Sequence, residues 1–278
     1  MDSADLTRMD AIERNWNART PIHAASEFYA GAFRDPDAWF ADHEWDDIGD
    51  VKDRDVLHLQ CHLGTDTAAF ARRGARAVGL DLSGAAIAEA RRRYPDIEFV
   101  HANVYDAGAA LAGRRFDVVY TGRGALLYLP DLTRWAQIVA SLLKPGGRLS
   151  VLDFHPLLMA LGVIPEEGEP DTLTLRYDYL PGRGPEERDW AHTYTDGPLL
   201  AGDTRSYEWP HSLGELVTAV AAAGLRVTTL REDPSGPYPR FARMVPADRP
   251  GFFRLPDDDP LIPLFFALRA VSPSPGAE

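Results

Sequence analysis

The chain has 278 residues, of which 45% are hydrophobic and 26% charged, a composition that suits one α/β domain with an additional cap. Its formal net charge of −13 at pH 7 repels phosphate backbones and anionic lipid surfaces, so neither nucleic acid nor membrane is an expected partner. The single cysteine, Cys61, cannot form an intramolecular disulfide, and neither a signal peptide nor a membrane span is expected, so we predict a cytoplasmic protein.

Residues 1–50 are predicted to form an N-terminal helical lid segment. Residues 11–40 are rich in aromatic and charged side chains, a pattern that indicates two short helices separated at Asp35-Pro36. Residues 1–10 are expected to be frayed.

Residues 51–155 alternate between short apolar runs and amphipathic stretches, and are predicted to form the core. The predicted strands are Val56–Gln60, Ala77–Asp81, Ile97–Val100, Phe116–Tyr120 and Arg148–Phe154. The predicted helices between them are Thr65–Arg73, Ala85–Arg93 and Asp131–Leu143. Apolar strands that lack polar alternation and are separated by helices indicate a parallel sheet buried on both faces.

The alternation stops in residues 156–210, where Pro and Gly cluster. Residues 173–179 alternate apolar and polar side chains, which predicts a half-exposed strand, and we interpret the whole region as an inserted antiparallel cap. Residues 211–278 then complete the core sheet. They contain a helix that begins at a capping box, Ser212 to Glu215, and two final strands, Leu225–Leu230 and Leu264–Val271.

The residues that follow each strand are the candidates for a binding site, because ligands of open parallel sheets bind beyond the carboxyl ends of the strands. Asp81 ends the second strand, 17 positions after Gly64, and a carboxylate there can accept both ribose hydroxyls of a nucleoside. After the third strand, Asn103 can accept from an adenine amino group, and Val104 can offer its backbone N–H to the ring.

The ordered set of motifs resembles the class I S-adenosylmethionine (SAM)-dependent methyltransferases. Members combine a glycine-rich turn and an acidic strand end with a strand similar to Phe116–Gly122 (FDVVYTG) and a turn similar to Leu143–Arg148 (LKPGGR). The similarity covers residues 51–155 and the helix and strands after Ser212. It implies a mostly parallel, doubly wound sheet of seven strands in the order 3-2-1-4-5-7-6. It also implies SAM as cofactor and contacts to it from Gln60, His62, Gly64, Asp81, Leu82, Asn103, Val104 and Thr121.

The first motif departs from the family pattern, acid-x-Gly-x-Gly-x-Gly. Residues 58–64 read HLQCHLG, so only the last glycine is present. Because glycine reaches positive φ without a Cβ clash, Gln60 and His62 are expected to lie differently or to use their side chains. The Gln60 amide oxygen can hold the methionine amino group, and the N–H groups near Thr65–Thr67 can help to hold its carboxylate. The G-x-G-x-x-G spacing of a dinucleotide site is absent.

Three residues are candidates for proton transfer from the acceptor: His155, Tyr128 and Tyr29, in that order. His155 follows the fifth strand and has an ordinary pKa near neutrality, although a loop histidine oriented by Pro156 is the simpler interpretation. Tyr29 belongs to the segment that closes over the cofactor in similar methyltransferases, or packs a surface helix. His58, Cys61 and His62 are possible zinc ligands by type, but no fourth ligand has suitable spacing, so no metal is expected.

The predicted cap is rich in aromatic side chains, which suit either a wall for a flat acceptor or the cap's own core. They are Tyr177, Tyr179, Trp190, Tyr194, Tyr207 and Trp209. We predict methylation of an oxygen, nitrogen or carbon of a small aromatic or apolar molecule, such as an indole-like ring in secondary metabolism. The alternatives are a non-methylating enzyme of the same fold and a non-catalytic SAM-binding protein.

Overall fold

A computed structural model describes residues 2–161, 172–249 and 251–274. Its helices are α1 (Ser3–Ala25), α2 (Glu27–Arg34), α3 (Asp42–Ile48), α4 (Thr65–Arg72), α5 (Gly84–Arg93), α6 (Ala107–Ala110), α7 (Leu132–Leu142), α8 (Pro156–Ala160) and α9 (Leu213–Ala222). Its strands are β1 (Asp55–Leu59), β2 (Arg76–Asp81), β3 (Glu98–His101), β4 (Phe116–Gly122), β5 (Leu143–Phe154), β6 (Glu186–Asp189), β7 (Arg205–Glu208), β8 (Arg226–Asp233), β9 (Ser235–Gly236), β10 (Val245–Pro246), β11 (Phe253–Arg254) and β12 (Phe265–Val271).

Seven strands form the main sheet, in the order β3-β2-β1-β4-β5-β12-β8. Strands β1 to β5 pair in parallel, whereas β12 runs antiparallel to both of its neighbours. Since β8 and β12 are the sixth and seventh strands of this sheet along the chain, the predicted order 3-2-1-4-5-7-6 is confirmed.

Both faces of the sheet are buried, which explains the uninterrupted apolar runs. Along β1, Leu57 and Leu59 pack in the same cluster as Trp135 of α7. Val56, which directly precedes Leu57, packs on the opposite face with Phe70 of α4. Burial of each aliphatic side chain stabilises the fold by about 1.5–3 kcal/mol. The strands therefore gain stability from the hydrophobic clusters on both faces of the sheet.

The N-terminal segment differs from the prediction. Helix α1 is one long helix that begins at Ser3, because the Asp2 carboxylate caps it by accepting from the backbone N–H of Asp5 at 2.8 Å. Residues 3–10 are therefore not frayed. The apolar residues of α1 form no single stripe because the helix packs against α5 on one side and β7 of the cap on another. Pro36 begins a short 3-10 turn, as the predicted break requires.

The cap is antiparallel, as predicted, but its strands lie elsewhere. They are β6 and β7, which pair directly. Residues 173–179 form no strand, because the backbone N–H groups of Arg176 and Tyr177 both donate to the carbonyl of Ala160 instead of to a neighbouring strand. Residues 162–171 of the predicted cap lie outside the described residues.

A second, unpredicted insertion lies between β8 and β12. Its short strands form a three-stranded antiparallel sheet in the order β10-β11-β9. Strand β5 also begins earlier than predicted, since Leu143 pairs with Phe116 before a register irregularity. None of the described helices has both the length and the apolar character needed to cross a lipid bilayer.

Candidate active site

One cleft lies beyond the carboxyl ends of β1, β2 and β4, beneath α1. It encloses about 920 Å³, its open mouth included. Of the predicted site residues, those that line it are Tyr29, Gln60, His62, Asp81, Leu82, Asn103, Val104 and Tyr128. Gly64, Thr121 and His155 lie outside its lining, and the structure gives each of them a different role.

Asp81 is fixed at the end of β2 by two backbone hydrogen bonds. Its Oδ2 accepts from the N–H of His62 and its Oδ1 from the N–H of Ser83, each at 2.7 Å. Burial raises the pKa of this carboxyl, while the two bonds oppose the rise. Each carboxylate oxygen has a second acceptor position, so the group can still accept a pair of hydroxyls from the cleft.

The first turn keeps a glycine-like backbone without glycine. Gln60 has φ of 59° and His62 has φ of 46°, so both residues lie in the left-handed region that favours glycine. A non-glycine residue held in this region costs about 1–3 kcal/mol. The side chains are used as well: the Gln60 amide donates to the carbonyl of Ala125 at 2.7 Å and accepts from the Thr121 hydroxyl at 3.1 Å. Thr121 therefore lies behind Gln60 and holds it.

Gly64 is the only glycine of this motif, and both its backbone conformation and its surroundings require one. It precedes α4 with φ of 76°, and a Cβ at this position would lie 2.7 Å from the Phe99 ring. The close approach of this turn to the Phe99 side chain depends on the missing Cβ. Gly64 therefore positions the start of α4, without lining the cleft itself.

The far end of the cleft combines a polar edge with apolar walls. The Asn103 side-chain oxygen accepts from the backbone N–H of Tyr105 at 3.0 Å and retains a second acceptor position. Val104 and Leu129 are buried, and both line the cleft together with Leu82. This end suits a flat heterocycle with a polar rim.

Five aromatic side chains also line the cleft: Trp16, Tyr29, Trp39, Tyr128 and Tyr194. The hydroxyls of Tyr29 and Tyr194 hydrogen-bond at 2.6 Å. The Tyr29 ring stacks on Trp39 with centroids 5.5 Å apart, and Trp16 meets Tyr128 edge-on at 5.4 Å. Only Tyr194 of the predicted cap wall lines this cleft, so most of the wall comes from the N-terminal segment.

A pair of histidines joins the first turn to the lid and the cap. The Nδ1 of His23 on α1 lies 2.9 Å from the Nε2 of His62, and the other ring nitrogen of His23 hydrogen-bonds to the Thr193 hydroxyl. Burial, reinforced by the charge of Arg19, lowers the pKa of His62 to about 3. Burial, His62 and Arg19 lower the pKa of His23 to about 2. Both rings are therefore neutral at physiological pH.

We expect the closed lid to lose stability in mild acid. Both folded-state pKa values lie below the ordinary 6.5, so the rings stabilise the fold above that pH and the contribution is lost as pH falls towards 3. Each ring adds about 1.4 kcal/mol per pH unit to the slope. The natural chain should lose stability between about pH 7 and about pH 5. The free energy of unfolding of His62→Gln, measured by urea denaturation, should fall by about 2 kcal/mol less over the same interval. The exposed His192→Gln is the control, and an equal pH dependence in the two variants would contradict the assignment.

The structure does not bring His155 to the cleft. Its Nδ1 accepts from the backbone N–H of Leu157 at 3.0 Å, which makes it the N-cap of α8, and its Nε2 lies 2.9 Å from the Glu232 carboxylate. Burial lowers the pKa of the ring, and Glu232 opposes the shift. Both nitrogens are occupied, so His155 is placed as a capping residue and not as a base beside the cleft.

A buried ion network at the cleft was not anticipated from the sequence. Arg123 donates to Glu44 at 2.8 Å, and its Nε lies 3.9 Å from the Asp66 carboxylate, which also accepts from the Tyr120 hydroxyl at 3.3 Å. Burial raises the pKa of Glu44, whereas Arg123 lowers it. The available signal was the position of Arg123 directly after β4 and of Asp66 in the first turn of α4.

The possible zinc ligands do not converge. The Nδ1 of His58 pairs with the Thr67 hydroxyl at 3.0 Å, and burial lowers the pKa of His58 to about 4. His62 faces His23 instead. Within the described ranges, no three His, Cys, Asp or Glu side chains are grouped so that they could bind a metal.

Comparisons with known proteins agree with this geometry. A family model described as a methyltransferase domain matches residues 57–149. Trans-aconitate 2-methyltransferase of Escherichia coli is 32% identical over 179 residues, which cover 62% of this chain and 67% of that protein. Ubiquinone biosynthesis O-methyltransferase of Stutzerimonas stutzeri is 26% identical over 176 residues, covering 60% of this chain and 70% of that protein.

Solved structures share the fold. A SAM-dependent methyltransferase of Mesorhizobium loti superposes with a TM-score of 0.54 at 20% identity, and the match covers 86% of this chain and 99% of that chain. The sheet order, the acidic end of β2 and the similarity to the E. coli enzyme all support one assignment. The chain belongs to the class I SAM-dependent methyltransferases.

Proposed function

We propose that this methyltransferase acts on a small aromatic or apolar acceptor held in the cleft beneath α1. The observation that carries the proposal is that six of the eight candidate cofactor residues and five aromatic side chains line the same cleft. Flat rings gain affinity from offset or edge-on contacts with such side chains.

The cofactor candidates fit the parts of SAM in spatial order. Asp81 can hold the ribose, Asn103 and Val104 can hold the adenine, and Gln60 with the first turn of α4 can hold the methionine end. The Gln60 amide already has two protein partners, so the second acceptor position of its oxygen is the one available for the amino group. When bound, SAM supplies a methyl group activated by its sulfonium.

The chain's own contribution is alignment and exclusion of water. Trp16, Tyr29 and Tyr194 cover the cleft, and alignment of two reactants can supply roughly 7–11 kcal/mol of barrier reduction. Burial raises the pKa of Tyr29 and Tyr128 well above their ordinary value. Both therefore keep their protons at neutral pH and act as hydrogen-bond donors to the acceptor. This favours an acceptor atom that needs no strong base.

The relatives support a small acceptor. Their names specify methylation of trans-aconitate and an O-methylation in ubiquinone biosynthesis. The net charge of −13 remains unfavourable for nucleic acid. We extend these observations to a small-molecule substrate for this chain, and we infer a role in secondary metabolism from the aromatic cleft.

Transfer of label from methyl-tritiated SAM tests the proposal. The enzyme is incubated with fractionated cell metabolites and with a panel of indoles, phenols and aromatic amines. We expect label in small aromatic products, and a fall of about fivefold to tenfold in kcat/KM for Trp16→Ala, since a lost stacking contact costs about 1–1.5 kcal/mol. The exposed Trp190→Ala is the matched control. Label found in protein or nucleic acid, or none despite tight binding of S-adenosylhomocysteine, would reject the proposed substrate class.

A further inference from the structure

We propose that Arg19 of α1 binds a carboxylate group inside the closed cleft. The group belongs either to the acceptor or to the methionine end of the cofactor. The inference rests on the proposed function only for the acceptor source, and it names a chemical group that the aromatic lining does not account for.

Arg19 is a buried cation without an anion. It is 7% exposed, and its Nε is buried with no hydrogen-bond partner. Among the described residues it forms no ion pair, and its one strong contact is with the Trp16 ring, whose centroid lies 5.4 Å from Cζ. A guanidinium removed from water costs several kcal/mol unless it is paired, so an unpaired one at this depth indicates a missing partner.

The Arg19 guanidinium lies on α1, the helix that covers the cleft. Its contact, Trp16, lines the cleft. Burial lowers the pKa of His62 and the charge of Arg19 lowers it further. Burial raises the pKa of Tyr128 and Tyr194, and Arg19 opposes both rises. His62, Tyr128 and Tyr194 come from three separate segments and all line the cleft, so Arg19 lies close enough to the lining to influence side chains from each of them.

The nearby acidic residues are engaged elsewhere. Glu208 accepts from Arg188 at 3.0 Å, and Asp66 lies in the network of Arg123 and Tyr120. Asp203 lies 3.5 Å from Arg14, which is a more exposed residue of α1 than Arg19. None of these carboxylates pairs with Arg19 among the described residues, so we take the missing partner to be a ligand. The planar guanidinium matches a carboxylate with two parallel N–H···O bonds.

Binding of S-adenosylhomocysteine and of 5′-methylthioadenosine separates the two sources. 5′-Methylthioadenosine lacks the amino-acid part, so it reports the adenosyl contacts alone. Calorimetry compares the natural chain with Arg19→Gln, Arg19→Lys and the control Arg14→Gln. If the carboxylate is the cofactor's, Arg19→Gln binds S-adenosylhomocysteine at least about tenfold more weakly, equivalent to about 1.4 kcal/mol. Binding of 5′-methylthioadenosine is unchanged.

If the carboxylate is the acceptor's, both adenosyl ligands bind all variants equally. Acetate, benzoate, indole-3-acetate and trans-aconitate are then titrated into the S-adenosylhomocysteine complex, and at least one binds the natural chain about tenfold more tightly than Arg19→Gln. Arg19→Lys recovers part of the affinity because it keeps the charge and loses the fork geometry. The proposal is overturned if Arg19→Gln matches the natural chain for S-adenosylhomocysteine and for every carboxylate.

Thermal unfolding of the ligand-free protein provides a check that does not depend on any ligand. Removing an unpaired buried charge should raise the melting temperature of Arg19→Gln. A residue that only supports the fold would give a lower one. The binding of S-adenosylhomocysteine and the thermal unfolding are measured without methyl transfer, so a wrong acceptor class in the proposed function leaves these two results unaffected.

Discussion

Replacing Asp81 with Ala should weaken the binding of S-adenosylhomocysteine about 100-fold. In the proposed binding mode, the variant loses two charge-assisted hydrogen bonds to the ribose, at about 1.5 kcal/mol each. It also frees the backbone N–H groups of His62 and Ser83, which the carboxylate holds at 2.7 Å. Calorimetric titration of the purified variant measures the effect.

Two further variants make the result specific. Asp81→Asn keeps one acceptor oxygen and should lie between the natural chain and Asp81→Ala. Asp96→Ala removes an exposed carboxylate beyond α5 and should bind as the natural chain does. An unchanged dissociation constant for Asp81→Ala, in protein shown to be folded by circular dichroism, would place the ribose somewhere else.

Gly64→Ala should lower the free energy of unfolding by about 2–5 kcal/mol. The backbone φ of 76° is costly for alanine, and the new Cβ would lie 2.7 Å from Phe99. Phe99 cannot withdraw freely, since it packs in a buried cluster with Cys61, Ile87 and Ala90. Urea denaturation of both proteins measures the difference, and we expect cofactor binding to weaken with it because α4 moves.

Gly113→Ala separates backbone strain from the clash. Gly113 has a similar φ of 71°, and nothing lies within 4 Å of the position of its Cβ. This control should therefore cost only about 1–2 kcal/mol. Gly64→Ala combined with Phe99→Leu should recover part of the loss. Equal costs at positions 64 and 113 would mean that the contact with Phe99 carries no weight.

The main sheet could be predicted because its strands are apolar on both faces. Positions such as Asp81 and Asn103 then followed from the rule that parallel strands end at a common edge. The lid could not be predicted in the same way. Helix α1 packs on two sides and shows no stripe, and the cap strands β6 and β7 are short and polar, so neither has the periodicity that sequence analysis detects.

The sequence predicted only the part of the candidate site that lies at the strand ends. Residues that act from a strand end could be located, but contacts between distant segments could not. His23 and His62 are 39 positions apart, and no local pattern pairs them. For His155 a local pattern was misleading instead. Its position after β5 suggested a role in proton transfer, whereas Leu157 and Glu232 occupy both of its ring nitrogens.

The Tyr29–Tyr194 hydrogen bond and the His62–His23–Thr193 chain tie three parts of the polypeptide together over the reaction space. A fragment starting at residue 51 would keep every strand of the main sheet yet lose the N-terminal helices that cover the cleft. Because these hydrogen bonds join the N-terminal segment to both the first turn and the cap, moving helices α1 and α2 away from the cleft requires that the contacts to both partners break.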